Sequence, residues 1–415
     1  MLKICDAIMG SGKTSATISY INAHPEKRFL YITPYLPEAR RIKDGCPDAD
    51  FAEPSERLPQ YGRSKARHTL ALIDKGRNIA STHQAMMYYT EDTFRKLKEQ
   101  NYCVIIDEEI NVLQEVPEVT YGDVQMAIRA GYVYEAGNNE FRRTDVPYGG
   151  GKLSHMFRIM ESRPLVCMYL DKNDEQLKNP MIWYWIFSPE LFRWVDDIIV
   201  MTYLFNGSEM DAFLKIHNID YQYIGVVRTE DGRYEFSEGD CPMPEYTKSL
   251  NRMIHIDDSE RMNRVGNNRT ALSINWYRNH PGEVELLKKN IYNFMRNRTD
   301  SNVEDRLCGT FKEHWGKIRG KGYWNSGIVF NKKATNEYRH CTALAYPVNL
   351  FPNTHMLNFY AKRGCAFDPD QYALSTMVQW IWRSAIRDGK EIWLYVPSRR
   401  MRGLLTDWIA EVSGT

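Results

Sequence analysis

Several kinds of protein are excluded by what this sequence does not contain. No stretch approaches about 18 consecutive apolar residues, the run needed to cross a bilayer as a helix. Leu2-Lys3-Ile4-Cys5 runs straight into strand-like sequence, so no secretory signal is expected. None of the eight cysteines forms a Cys-x-x-Cys pair, and several lie within apolar runs. Neither a metal cluster nor a disulfide framework is therefore expected. The expectation is buried thiols in a reducing compartment, the cytoplasm. A surplus of one charge is also missing, since 54 Lys+Arg face 53 Asp+Glu for a net +1. That balance argues against a charge-driven coat on nucleic acid and leaves room for a local basic groove. Low-complexity tracts and internal repeats are absent.

What is present is ample material for cores. With 415 residues, 43% of them hydrophobic, the prior is two or three domains at about 150 residues each. Halves of that size bury a core without staples. Short apolar runs at Leu2–Cys5, Phe29–Thr33, Ile79–Thr82 and Cys103–Ile106 alternate with helical periodicity. This is the pattern of a parallel sheet with crossover helices. The next such strand, Ile198–Thr202, comes roughly ninety residues later, longer than an ordinary connection. The intervening residues, about 112–192, carry a strand-like run at Leu165–Leu170 and an aromatic-dense stretch at Met181–Phe187, and read as an inserted subdomain. Trp183, Tyr184, Trp185 and Phe187 within it are read as core in preference to a strand-separating wedge. Asp231-Gly232 marks a hairpin, and residues 229–244 read as a linker. Beyond it, runs at Thr270–Ile274, Gly327–Phe330, Thr342–Tyr346 and Ile392–Val396 repeat the α/β pattern. The expected organisation is a first domain over 1–228 and a second over 245–415.

The first chemically informative segment is Ala7-Ile8-Met9-Gly10-Ser11-Gly12-Lys13-Thr14, between the first strand and a helix from Ser15 to Asn22. It follows the phosphate-loop pattern with Ala in place of the first Gly. Gly10 and Gly12 let backbone amides, with those of Ser11 and Ser15, approach phosphate oxygens. Lys13 brings positive charge to the β- and γ-phosphates, and the Thr14 hydroxyl can ligate Mg2+. The second segment is Val104-Ile105-Ile106-Asp107-Glu108-Glu109, a buried-strand run ending in acids. Ligands of parallel sheets sit beyond the carboxyl ends of strands. Asp107 is there a candidate Mg2+ ligand, and Glu108 a candidate to orient and deprotonate an attacking water. Glu109 has no assigned role. The expected cofactors are ATP and Mg2+.

In order along the chain, these two segments and those around them resemble the DEAD-like branch of the superfamily-2 helicases. The acids read Asp-Glu-Glu-Ile in place of Asp-Glu-Ala-Asp. Thr33-Pro34-Tyr35-Leu36-Pro37-Glu38-Ala39-Arg40-Arg41 resembles motif Ia, which grips the nucleic-acid backbone. Ser81-Thr82-His83-Gln84-Ala85 resembles the later strand-contacting motif of the first domain, and Met201-Thr202-Tyr203 stands where motif III would be. Gln379-Trp380-Ile381-Trp382-Arg383-Ser384-Ala385-Ile386-Arg387 resembles motif VI, with Trp382 in place of Gly and the last Arg one residue late. Gln379, Arg383 and Arg387 are spaced i, i+4, i+8, which a helix would place on one face. Arg383 is the preferred arginine finger and Arg387 the second. Thr310-Phe311-Lys312, the segment Asn331–Tyr338 and Ala345–Asn349 resemble helicases encoded by tailed bacteriophages.

The resemblance implies two RecA-like domains with parallel sheets and a nucleotide held in the cleft between them. It also implies movement on DNA, and a bacterial host cytoplasm. Strand contacts would come from Thr33, Arg40, Arg41, Thr82 and His83 in the first domain. In the second they would come from Lys312, Lys332, Lys333 and Asn336. Lys317, Arg319, Lys321 and Arg339 extend that basic strip, and Trp315, Tyr323 and Trp324 interleave with it, the composition of a single-strand groove. A DNA-packaging terminase-type motor shares the phosphate loop and acidic strand end. A non-unwinding nucleic-acid-binding accessory protein is the third class.

Overall fold

The computed structural model describes residues 1–116, 119–137, 139–169, 181–331 and 337–414. The chain is α/β and divides into two compact units. The first comprises Met1–Asp6, Gly12–Cys241 and Asn353–Phe367, and the second Ala7–Ser11, Pro242–Pro352 and Asp368–Thr415.

The strands of the first unit run in chain order. They are β1 (Leu2–Asp6), β2 (Arg28–Thr33), β3 (Ile79–Thr82) and β4 (Tyr102–Asp107), then β5 (Leu113–Glu115), β6 (Val133–Gly137), β7 (Glu140–Arg143), β8 (Leu165–Tyr169) and β9 (Met181–Ile186), then β10 (Asp197–Thr202), β11 (Tyr221–Arg228) and β12 (Tyr234–Glu238). The main sheet has the order β12-β11-β1-β10-β4-β2-β3. Every pairing in it is parallel except the hairpin β11–β12. Val104, Ile105 and Ile106 of β4 and Ile198, Ile199 and Val200 of β10 are buried, as befits strands covered on both faces. Among the helices of this unit, α1 (Lys13–Ala23), α2 (Leu36–Gly45), α3 (Lys65–Asp74), α4 (His83–Met86) and α5 (Glu91–Glu99) are the crossovers between β1 and β4. Their starts are chemically set. Ser64 caps α3, Thr82 caps α4, and Thr90 with Thr93 forms a capping box at α5.

Between β4 and β10 lies a separate five-stranded sheet, order β5-β9-β8-β7-β6, all antiparallel. It closes over its own core, which includes Trp183, Trp185, Phe141, Phe157 and Leu165. The insertion aromatics Trp183, Tyr184, Trp185 and Phe187 are all buried, so they are core and present no wedge. The guanidinium of Arg163 is buried among them, 4.5 Å from the Trp185 ring and 4.4 Å from Phe187. It donates to the Met86 carbonyl at 3.1 Å, tying the insertion to α4. Burial pulls that guanidinium down to about 9.

The second unit has a five-stranded, all-parallel sheet built from β13 (Ile254–Ile256), β14 (Arg306–Thr310), β15 (Gly327–Val329), β16 (Ala343–Ala345) and β17 (Ile392–Tyr395), in the order β13-β17-β16-β14-β15. The fold class expected from the pattern, two parallel α/β sheets and an insertion, holds.

Three local expectations do not. The run Thr270–Ile274 is no strand: Leu272 has φ 65°, and Ser273 caps a helix over Ile274–Asn279. The side chain of Asn349 holds that turn by donating to the carbonyls of Arg269 and Ala271. Residues 229–244 are not all connection, because β12 lies within them and belongs to the first sheet. Finally, Cys241 and Cys365 are only half-buried, while the side chain of Cys167 lies outside the described residues.

Candidate nucleotide site

Register brings five polar residues to one edge of the main sheet. Asp6 of β1 pairs with Thr202 of β10, and Met201 pairs with Asp107 of β4. Ile106 of β4 pairs with Ile32 of β2, and Thr33 pairs with Thr82 of β3. Asp6, Thr202, Asp107, Thr33 and Thr82 thus form a row at the carboxyl ends of parallel strands, where ligands of such sheets bind. The acid strand β4 and the loop strand β1 are separated by β10 alone.

The loop leaving β1 turns through residues suited to it. Gly10 has φ 86° and Gly12 has φ 95°, conformations that glycine adopts without strain. Helix α1 begins at Lys13, directly after Gly12, two residues earlier than the expected Ser15. Thr14 and Ser15 lie half-buried in its first turn. Within the second unit, which includes Ala7–Ser11, the Tyr246 hydroxyl donates to the Met9 carbonyl. Ser11 Oγ is buried with no hydrogen-bond partner among the described residues.

Beyond β4 the chain makes an abrupt turn. Glu108 has φ 64°, a left-handed conformation costly for a residue with a Cβ, and its amide donates to the Met201 carbonyl at 2.8 Å. Its Oε2 is buried with no hydrogen-bond partner among the described residues. The neighbouring groups are tied together. Tyr31 donates its hydroxyl to Asp107 Oδ2 at 2.8 Å. His83 Nε2 lies 2.8 Å from the Asp107 carbonyl, an arrangement that places a proton on Nε2. Thr202 donates to Glu109 Oε1 at 2.9 Å, which gives the third acid a partner on β10. Asp6 accepts the amides of Leu204 and Phe205 at 2.8 and 2.9 Å, holding the turn that follows β10. Thr17 of α1 donates to Met201 Sδ at 3.0 Å. The loop helix, the acid strand and the strand between them are thus cross-linked at one edge.

Electrostatics set the protonation states. Burial first, and then the Glu108 charge, push Asp107 up to about 7, against the opposing pull of the Tyr31 hydrogen bond and Lys13. Burial lowers Lys13, opposed by Cys5, Asp107 and Asp6. Burial also raises Asp6, opposed by the two amides it accepts. A carboxylate held up in this way is one that a nearby cation would ionise. Within the first unit, a buried Glu108 oxygen without a hydrogen-bond partner among the described residues, and the left-handed Gly12 beside Lys13, suit a bound triphosphate and a divalent cation. Lys13, Thr14, Asp107 and Glu108 are the groups able to hold or act on them.

The remaining sequence-derived residues fall out unevenly. Thr33 is buried, and Thr82 is spent as the cap of α4. Arg40 and Arg41 are exposed on α2, Arg41 lying 3.8 Å from Glu38, and Tyr35 and Leu36 stand exposed at the same helix start. Lys312 is exposed, while Lys317 donates to the Tyr277 carbonyl and Arg339 pairs with Asp388. Lys332, Lys333 and Asn336 lie outside the described residues. Of the interleaved aromatics, Tyr323 is buried and Trp315 packs against Gly327, whereas Trp324 is exposed with Arg319 4.0 Å over its ring.

The single helical face expected for Gln379, Arg383 and Arg387 is not formed. The helix Pro369–Ile381 stops at Ile381, whose carbonyl accepts the Ser384 hydroxyl, and Ser384 itself is extended. Arg383 is buried beyond the helix end, Arg387 is exposed on a separate 3-10 turn, and Gln379 bonds to Ser375. Sequence reasoning missed Asp6 and Tyr31. The signal for Tyr31 was its spacing two before Thr33, which puts both on one side of β2.

Comparison with known proteins first defines the class. A family described as the YonV C-terminal Rossmann-like domain matches residues 248–409. Across nearly its whole length, 98% of each chain, the sequence is 32% identical over 422 residues to the SPbeta prophage-derived uncharacterized protein YonV of Bacillus subtilis (strain 168). The chain belongs to the YonV family, which has a prophage-encoded member. Among solved structures, an XPD helicase aligns over 100% of this chain and 95% of its own, at 12% identity and TM-score 0.47. Xpd4 of S. tokodaii aligns over 98% and 94%, at 12% identity and TM-score 0.40. No helix among the described residues is long and apolar enough to cross a membrane.

Proposed function

We propose that this protein is an ATP-driven motor on nucleic acid, a DNA helicase or translocase encoded by a phage or prophage. One observation carries the reading. The carboxyl edge of the main sheet brings a loop-borne lysine, a buried carboxylate and a strained second carboxylate close together. In this reading Lys13 and the amides around Gly10, Ser11, Gly12 and Ser15 hold the phosphates of ATP. Thr14 and Asp107 hold Mg2+, which supplies positive charge beside the phosphoryl group. Glu108 orients a water molecule and takes its proton as the water oxygen bonds to the γ-phosphorus and the β–γ bridge breaks. Tyr31 fixes the Asp107 carboxylate, and Arg383 and Arg387 are the candidates for offsetting charge on the transferred phosphoryl group. Tethers from Asp107 to His83 and from Glu109 to Thr202 give a route from the nucleotide to a segment that resembles a strand-contacting motif and to one that stands where motif III would be. Arg40, Arg41, Lys312, Lys332, Lys333 and Asn336 are the proposed strand contacts, with host cytoplasm as the place of action.

ATP hydrolysis measured without DNA and with single-stranded, duplex and forked DNA tests the reading, alongside an unwinding assay. Hydrolysis stimulated by DNA and abolished in Lys13→Ala is expected. Equal hydrolysis by Lys13→Ala and the parent would sink it, and stimulation without unwinding would favour a translocase.

A further inference from the structure

Strand β12 delivers an aromatic ring to the phosphate loop. Tyr234 stands directly across the hairpin from Arg228, whose guanidinium lies 5.9 Å from the ring centroid. The ring rests against Gly12 so closely that a Cβ there would meet Tyr234 Cδ1 at 2.2 Å and Cε1 at 2.5 Å. The hairpin is held over α1 by a second contact, the edge of Phe236 on Tyr20 at 5.8 Å between centroids. Tyr234 is half-buried and Arg228 exposed, so the pair retains accessible surface.

A ring against Gly12, the residue before α1, with a guanidinium over it, brings an aromatic group for a base and a charge for phosphates to the loop. We propose that Tyr234, with Arg228, forms the nucleobase subsite of this protein. The inference rests on the reading of the Gly10–Thr14 loop as a triphosphate site. Because every base offers a π-face, stacking alone distinguishes poorly among bases. The subsite therefore favours nucleoside triphosphates over inorganic triphosphate and discriminates little between ATP and GTP.

Calorimetric titration of the full-length chain with ATP, GTP and inorganic tripolyphosphate, each with Mg2+, tests this. Tyr234→Leu keeps bulk against Gly12 and removes the ring, while Tyr234→Phe keeps the ring. Tyr234→Leu is expected to weaken ATP and GTP by about tenfold and to leave tripolyphosphate unchanged, with Tyr234→Phe retaining parental affinity for all three. Equal loss of all three ligands in Tyr234→Leu would make the ring a support for the loop and overturn the subsite. Tighter binding of all three would make the ring a plug and overturn the subsite as well. Unchanged ATP binding also overturns it. A parent protein that binds none of the three removes the triphosphate reading itself, and the subsite falls with it.

Discussion

Asp107 should make the ligand-free protein less stable as pH rises from about 4 toward neutrality, and its replacement should reveal by how much. The carboxyl is pushed from 3.8 to about 7 by burial and by the neighbouring Glu108 charge. Between those values the folded chain holds a proton that the unfolded chain releases, so stability falls as pH climbs through this window and levels off above it. A shift of roughly three units corresponds to about 4 kcal/mol at about 1.4 kcal/mol per unit. Water reaching a strand end at the surface reduces this, and about 1–2 kcal/mol is the expected net cost. Asp107→Asn keeps an oxygen to accept the Tyr31 hydroxyl and removes the titration. Urea unfolding of parent and variant at pH 4, 5, 6, 7 and 8 should therefore show the smallest difference at pH 4 and a widening one from there to pH 7. The variant's advantage should grow to about 1–2 kcal/mol by pH 8. Mg2+ with ATP should shrink that advantage, since a bound cation favours the ionised carboxylate. A difference independent of pH, or one that grows as pH falls, would refute the reasoning.

Three further outcomes follow from local geometry. Gly12→Ala forces a Cβ into Tyr234 at a φ of 95°, and thermal melting should fall by the equivalent of about 1–3 kcal/mol, with partial recovery in the Tyr234→Ala double variant. Glu108→Gly relieves a left-handed conformation, so its unfolding free energy should be unchanged or raised by about 1 kcal/mol while ATP hydrolysis is lost. A drop in both would count against a site that stores strain. Asp6→Ala leaves the Leu204 and Phe205 amides without their acceptor and should cost about 2–4 kcal/mol in denaturant unfolding.

Much of the site was legible because its signals are local. A glycine turn between a strand and a helix, and acids closing an apolar run, locate themselves without tertiary knowledge, and Lys13, Thr14, Asp107 and Glu108 came from these. Tyr31 and Asp6 were hidden because each acts through pairing with a strand distant in sequence. Tyr31 reads as one more aromatic in a buried run until pairing with Ile105 lets its hydroxyl reach Asp107, two residues further along β4. The strands Ile254–Ile256 and Arg306–Thr310 were missed for a related reason: they are short, and one of them begins with arginine. The motif VI-like segment misled because helical spacing was extended past Ile381, where a serine hydroxyl competes for the helix carbonyl. Thr270–Ile274 misled by composition, since its outcome was set by Asn349, some eighty residues further along the chain.

The insertion occupies a topological slot that limits how it could be removed. Strands β4 and β10 are parallel neighbours, so the chain leaves at the carboxyl edge of one and must re-enter at the amino edge of the other. For strands of this length the return path is roughly 20 Å. The antiparallel subdomain thus lies within the crossover itself. A tight turn cannot replace it, because parallel neighbours need about a dozen residues or more to connect. The part that must survive any trimming is the exit, where Phe187 contacts Phe94 of α5 and Phe192 of the short helix Glu190–Trp194. A minimal version of this protein would keep that helix as its crossover and discard the sheet. Its remaining activity would show which duties belong to the main sheet and which to the inserted one.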